Sequence, residues 1–420
     1  MNAHRWPAPV IHYPMLDVIR ILLTFILILT LLRKKVPVGY VMLIAAAVLM
    51  FLYRMDLPAA ISTSQKTITG RVTITLWLSL SLIRVFELLL RENNVLATMM
   101  AAVKTYIRNK KAVAISMPLL IGMLPSLGGA YFSAPMVKEA TSGLHMTREE
   151  KAYINYWFRH PWEYVLPLYP GILLASALSG IPLYSFVVAN CTYALVLFCM
   201  GFVYSMRDLE GRADSPVPAV QATGRAGVTS SRALLSFVPV AAVLLLVVAL
   251  RMDLHYALLT MIIPLFIIFR QSPADIWRIV RHGFALDIVV LILGIMLFKE
   301  TMEATGSVRN LSTFFVEHGI PVLPIVCLLP FLTGLLTGLT VGFVGSTFPL
   351  LISIAGGVSL PVMSMAFAAG FIGVLISPVH LCLVLTREYF KADLWGMYKK
   401  IIPSSVYIFL AAFIQYLLLK

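Results

Sequence analysis

Arg159, His160 and Glu163 stand inside a long apolar stretch of a 420-residue chain, with Pro161 among them. An ionisable side chain at bilayer depth costs ~2.5–3.5 kcal/mol on insertion scales, which makes such residues functional candidates by default. Proline removes a helical hydrogen bond and frees carbonyls, while His160 and Glu163, three apart, share a face if the helix persists. Counted from Ala152, Glu163 lies about 15 Å along a helix rising 1.5 Å per residue. A second reading stays open, an interfacial anchor with Arg159 snorkelling to the cytoplasmic side and Trp162 in the aromatic belt. His380 follows Pro378 in a matching context. It could shuttle protons or hydrogen-bond an anion, or simply be satisfied by a freed carbonyl.

Two further clusters carry hydroxyls and bare backbone. The first is Pro125-Ser126-Leu127-Gly128-Gly129, with Ser133 just beyond. The second runs through Thr333, Gly334, Thr337, Gly338, Thr340, Gly342, Gly345, Ser346 and Thr347. Ser377 adds a hydroxyl beside Pro378. Glycine lets backbone approach a ligand, half-helix N-termini attract anions and half-helix C-termini attract cations. The competing role is a small-residue seam for close helix packing, of which Gly334 and Gly338 are a GxxxG example. Arg84 and Glu87, also three apart, read as a mutually neutralising structural pair, and Lys299, Glu300 and Glu303 as interfacial.

The elements that must position these residues are transmembrane helices. At 60% hydrophobic, 12% charged and a mean hydropathy of +0.90, the chain has about half the charge of a soluble domain. A soluble multidomain enzyme and a disordered chain are excluded. Apolar runs of spanning length occur near 16–32, 36–53, 72–90, 155–180, 182–204, 234–250, 254–270, 284–304, 361–386 and 403–419. These predict ten crossings, five per half. Segments 112–136 and 321–356 are interrupted by Gly, Pro, Ser and Thr and read as re-entrant hairpins, since irregular backbone at membrane depth needs protein or a water-filled cavity around it. The expected organisation is a first repeat over 1–205, a polar cytoplasmic linker over 206–233 and a second repeat over 234–420.

Lys and Arg exceed Asp and Glu by 14. With the hairpins returning to their side of entry, that excess gathers threefold on one face, around Arg33–Lys35, the 104–111 loop, the linker and Lys399–Lys400. The rule that cytoplasmic loops are positive then puts both termini outside the plasma membrane. The basic loop reads as topology signal and anionic-lipid contact, which leaves nucleic-acid binding without support. No Ala-x-Ala-like site follows the first span, so it reads as uncleaved. The four cysteines lie in apolar runs with no CxxC or His/Cys cluster nearby in sequence, so neither disulfides nor a metal site is expected.

Shifted by 212 to 217 positions, the halves align: Pro118 with Pro330, Phe86 with Phe298, Ala134-Pro135 with Phe348-Pro349, and His160-Pro161 with Ser377-Pro378. An odd number of crossings per copy makes the repeats inverted, as in secondary transporters. The stretches GMLPSLGGAYFSAP (122–135), TGLLTGLTVGFVGSTFP (333–349), LFKETMEATG (297–306) and ISPVHLC (376–382) resemble the ion-transporter superfamily of citrate, gluconate, dicarboxylate and arsenite carriers. Within it the chain most resembles an uncharacterised prokaryotic integral-membrane family. The resemblance implies a two-hairpin core, solute and coupling ion at the tips, elevator movement and a homodimer. The paired Ser-Asn-Thr tip signature of the dicarboxylate carriers is absent.

The expectation is a secondary active transporter for a small anionic solute, a carboxylate or oxyanion, coupled to H+ or Na+. Its expected site comprises Ser126, Gly128, Gly129, Ser133, His160, Glu163, Thr337, Gly338, Thr340, Ser346, Thr347, Ser377 and His380. No cofactor or metal is expected beyond the coupling ion, with Na+ placed at the tips. Alternatives are a passive channel or lipid-interacting scaffold and, further off, an embedded enzyme, for which HExxH, GxGD and Walker A sequences are all missing.

Overall fold

The computed structural model describes residues 14–420 except 108, 126–128, 207–234, 308, 309, 311–313, 315, 316 and 356, with the side chains of 14, 104, 105, 110 and 206 also left aside. The described residues form helices and no strands. The first half contains α1 (Pro14–Arg33), α2 (Val38–Leu52), α3 (Leu57–Thr69), α4 (Arg71–Glu92), α5 (Val95–Tyr106), α6 (Lys110–Gly122), α7 (Gly129–Ala140), α8 (Arg148–Trp157), α9 (Trp162–Val165), α10 (Pro170–Ser179) and α11 (Leu183–Met206). The second contains α12 (Val238–Val248), α13 (Leu254–Ile268), α14 (Pro273–Gly283), α15 (Leu286–Ala304), α16 (Val322–Thr337), α17 (Thr340–Ile354), α18 (Leu360–Ile376), α19 (Leu381–Phe390) and α20 (Leu394–Leu419).

Among the described residues, six helical stretches are long and apolar enough to cross a bilayer, and six shorter apolar helices accompany them. Phe51, Ile267 and Leu418 are each more than 70% exposed. Such a skin of large apolar side chains suits a surface that faces lipid, and the chain is an all-helical membrane protein.

Polar residues punctuate these helices. Asp56 accepts the Ala59 N–H at 2.9 Å to start α3. Thr147 and Glu150 form a reciprocal capping box at the head of α8, at 2.9 and 3.2 Å. Asp393 caps α20 through the Gly396 N–H at 2.8 Å. Each cap satisfies donors that a first helical turn leaves open.

A similar order of elements is found in the two halves: a long helix at α4 and α15, a contacting helix pair at α6/α7 and α16/α17, an interrupted helix at α8–α10 and α18/α19, and a long last helix. Both arms of each pair carry an internal proline, at 118 and 135, then 330 and 349. The halves also interlock, since α2 packs on α15 while α13 packs on α4. At the first of these crossings Gly39 meets the α15 backbone around Leu291, and a Cβ on Gly294 would overlap the Gly39 carbonyl.

Within the run 155–180 the interruption marked by Pro161 is present, since the chain turns at Phe158–Pro161 and again before α10. One expectation needs correction. Arg84 does not serve Glu87 alone: it reaches across to Asp287 at the head of α15 with a two-pronged contact of 2.9 and 2.6 Å, while Glu87 pairs with Arg91 at 3.6 Å. A carboxylate presented edge-on matches the planar guanidinium better than a neighbour on the same helix can. Of the expected linker, everything from 207 lies outside the described residues.

Candidate functional site

Two interruptions, one from each half, meet at the centre of the fold. After α8 the His160 N–H closes a tight turn on the Trp157 carbonyl at 3.2 Å, and after α18 the His380 N–H does the same on Ser377 at 3.2 Å. Pro161 and Pro378 stand beside these turns, where a missing N–H is tolerated. The two imidazoles face one another with Nε2 to Nε2 at 3.1 Å, both residues buried.

The other nitrogen of each ring is held by backbone. His160 Nδ1 lies 2.6 Å from the Tyr156 carbonyl and His380 Nδ1 lies 2.8 Å from the Gly338 carbonyl. A carbonyl only accepts, so both Nδ1 atoms are the N–H donors. Both Nε2 lone pairs therefore converge on the same space. The 3.1 Å contact is favourable when one ring carries a second proton there, or when an electrophilic centre sits between them.

Glu163 and Cys382 complete the cluster. Glu163 Oε1 is 3.9 Å from His160 Nε2, and Oε2 accepts the Thr340 hydroxyl at 2.8 Å. The Cys382 sulfur and the two imidazoles lie within 4.8 Å of one another. Cys382 belongs to the first turn of α19, where exposed N–H groups favour negative charge.

The second helix pair touches this cluster with its tip, and the described ends of the first pair pack on the neighbouring Arg159, Trp162 and Tyr169. At the second tip Gly338 takes φ +62° and ends α16 with its N–H on the Gly334 carbonyl at 2.8 Å. Its Cα packs so closely on His380 that an added Cβ would stand 2.8 Å from the His380 nitrogen. Thr337 caps the turn, donating to Thr333 at 2.8 Å and accepting the Leu339 N–H at 3.3 Å. Ser377 staples the break to the α16 arm through the Leu335 carbonyl at 2.6 Å. At the first tip Gly129 lies against the Arg159 guanidinium, which any Cβ there would overlap. Arg159 is buried rather than snorkelling to an interface, at 4% exposure. Trp162 and Tyr169 hold the α6 arm, donating to Leu119 and Gly122 at 2.7 and 2.5 Å.

Of the expected residues, His160, Glu163, Gly338, Thr340 and His380 make one cluster, with Gly129, Thr337 and Ser377 at its supports. Ser126 and Gly128 lie outside the described residues. Ser133 is buried and bonds back to its own helix at Gly129 and Ala130, at 3.4 and 3.3 Å. Ser346 and Thr347 likewise return to Gly342 and Phe343, both at 2.7 Å. Ser346 borders a crevice with Ile21, Thr24, Phe298 and Leu350, a helix-packing surface rather than the tip. Of the GxxxG pair, Gly334 packs on the Gly370 backbone and Gly338 makes the turn.

Sequence reasoning missed Cys382, whose one local signal was its place two residues beyond His380. It also missed Asn155, whose amide bridges the Ala130 carbonyl and the Thr386 hydroxyl, each at 3.0 Å, tying the first hairpin to α19.

A helical membrane protein whose two buried histidines, with a half-buried carboxylate and thiol, gather where two broken helices meet the tip of a helix pair is the class defined here. The chain belongs to a family described as a protein of unknown function, DUF401, whose profile matches residues 15–419. No curated protein matches the chain.

Proposed function

We propose that the protein is a secondary active transporter that binds a small anionic solute between the two hairpin tips and couples its movement to H+ or Na+. One observation carries this: both interruptions, some 220 residues apart in sequence, and the Gly338 tip of the second hairpin converge on one polar cluster around the 3.1 Å His160–His380 contact, with Gly129 of the first hairpin against the neighbouring Arg159. Broken helices at depth are tolerated where they line a binding site, and inverted repeats place that site at their interface. The recurring succession of elements and the reciprocal α2–α15 and α13–α4 packing support an inverted-repeat transporter of the ion-transporter type.

Arg159 at the head of α7 supplies a cation beside a helix N-terminus, a pairing that suits carboxylates and oxyanions. Glu163, held by Thr340 of the second hairpin, is the group through which a coupling cation acts. Because it links one half's break to the other half's tip, a change of its charge alters the contact on which the halves must slide.

Reconstituted protein should accumulate at least one small carboxylate or oxyanion under an imposed pH or Na+ gradient, and Glu163→Gln should uncouple uptake from that gradient. A thermal-stability screen identifies the solute first, since a ligand that binds only the folded state stabilises it as RT ln(1 + [L]/Kd). Uptake independent of both gradients for every solute that binds, or unchanged coupling in Glu163→Gln, refutes the proposal.

A further inference from the structure

We infer that His160, His380 and Cys382 form a three-ligand binding site for one transition-metal dication of the Zn2+ class, with Glu163 standing beside its open position. The inference concerns occupancy of the cluster and stands whether or not the chain transports a solute.

Geometry is the first argument. Zn2+ takes imidazole nitrogen at ~2.0–2.1 Å and thiolate sulfur at ~2.3 Å in a tetrahedron, which requires about 3.3 Å between two nitrogens and about 3.6 Å between nitrogen and sulfur. The two Nε2 atoms are already 3.1 Å apart. The three donor atoms lie within 4.8 Å of one another and Glu163 Oε1 is 3.9 Å from His160 Nε2. Bringing the three donors to these separations takes an approach of at most about 1.2 Å between any two of them.

The outer shell is the second argument. Metal-bound histidines direct their remaining N–H at a carbonyl or carboxylate, and bound carboxylates are themselves hydrogen-bonded. Both rings do so here, through Tyr156 and Gly338, and Glu163 keeps its second oxygen on the Thr340 hydroxyl. These contacts leave both Nε2 lone pairs turned toward one another, with one carboxylate oxygen 3.9 Å from His160 Nε2. A hydrogen-bonded histidine pair alone explains the 3.1 Å contact but gives no role to a thiol in the same space.

Donor chemistry selects the ion. Na+, Mg2+ and Ca2+ prefer oxygen shells. Two imidazoles with a thiolate suit Zn2+, Co2+, Ni2+ or copper, and a tetrahedral site of three protein donors with water in the fourth position favours Zn2+ or its spectroscopic substitute Co2+. No second cysteine joins the cluster, so a disulfide is not the thiol's purpose.

The test uses full-length purified protein in detergent, stripped with chelator and then titrated with Co2+ and Zn2+. One Co2+ per chain should bind with the intense visible bands of a tetrahedral site and a sulfur-to-cobalt charge-transfer band in the near ultraviolet, both displaced by Zn2+. Cys382→Ser should remove the charge-transfer band. Because outer-shell losses alone cost 10–100-fold in affinity, His380→Gln should weaken Zn2+ binding by more than about tenfold. Cys327→Ser, on α16 away from the cluster, should change neither readout. Gel filtration identifies variants that remain folded, and Cys382→Ser is conservative enough to serve if His380→Gln does not. A weak six-coordinate Co2+ spectrum without the sulfur band overturns the inference, as does Zn2+ binding that survives both substitutions in folded protein. Since binding is measured without transport, a failed uptake assay leaves this result intact, and the reverse also holds.

Discussion

Gly338→Ala should destabilise the protein well beyond an equivalent change at Gly180. Both glycines end a helix in the left-handed region, at φ +62° and +71°. An alanine there costs about 1–2 kcal/mol from crowding of its Cβ against the backbone. The surroundings differ. A Cβ at Gly180 meets nothing within 4 Å, whereas one at Gly338 stands 2.8 Å from the His380 nitrogen and 2.9 Å from its Cα. Ordinary contact needs roughly half an ångström more, and the obstructing atoms are backbone, so the tip must lift away from the break. A lift of that size stretches the 2.8 Å His380–Gly338 hydrogen bond to roughly 3.3 Å and weakens it. Losing that buried bond outright would cost ~1–3 kcal/mol, which bounds this part of the effect. The loss for Gly338→Ala therefore exceeds the about 1–2 kcal/mol of Gly180→Ala and reaches at most about 5 kcal/mol. Thermal unfolding in detergent, followed by fluorescence and by loss of the monodisperse gel-filtration peak, measures the difference. Equal losses in the two variants would show that the tip does not bear on His380, and the cluster's architecture would have to be abandoned.

Two further outcomes follow from contacts elsewhere. Glu149 accepts the Asp393 N–H at 3.0 Å, and that bond holds its carboxyl below the ordinary glutamate value of 4.5. A carboxylate depressed in the folded state stabilises above its unfolded pKa, and the contribution disappears as pH falls through the folded value. Stability should therefore decline below about pH 4.5 in the parent and less steeply in Glu149→Gln; identical acid limbs would contradict the assignment. Arg84→Ala and Asp287→Ala should couple by about 1 kcal/mol in a double-mutant cycle on thermal stability, as expected for a two-pronged but partly exposed pair. Arg84→Ala combined with Glu87→Ala should be closer to additive, and the opposite ranking would restore the same-helix pair.

Much of this protein is legible along the chain because membrane solvation acts on each segment separately. A run of about 20 apolar residues is helical in lipid whatever its neighbours do, since its backbone groups must bond within the segment. All ten predicted runs are accordingly helical over most of their length, and both interrupted segments fold as helix pairs. The breaks at Pro161 and Pro378 were equally visible, proline being a local obstacle. Hydroxyls were harder to judge. A serine or threonine in a helix satisfies itself on the carbonyl one turn back, as Ser133, Ser346 and Thr347 do, so a count of hydroxyls overstated the site.

What the sequence determined, then, is everything set by local solvation and backbone chemistry: membrane helices, hairpin turns, two proline-marked interruptions, and His160, Glu163 and His380 as buried groups in need of partners. The tertiary structure alone decided who those partners are. His160 meets His380 across 220 positions, Glu163 meets Thr340 across 177, and Arg84 turns from its own helix to Asp287. Cys382 had only the His380-x-Cys382 spacing to announce it, because the second imidazole arrives from the other half of the chain. Lipid offers a buried polar group no competing solvent, so the fold must bring such groups together, and no one-dimensional pattern records which of them will meet.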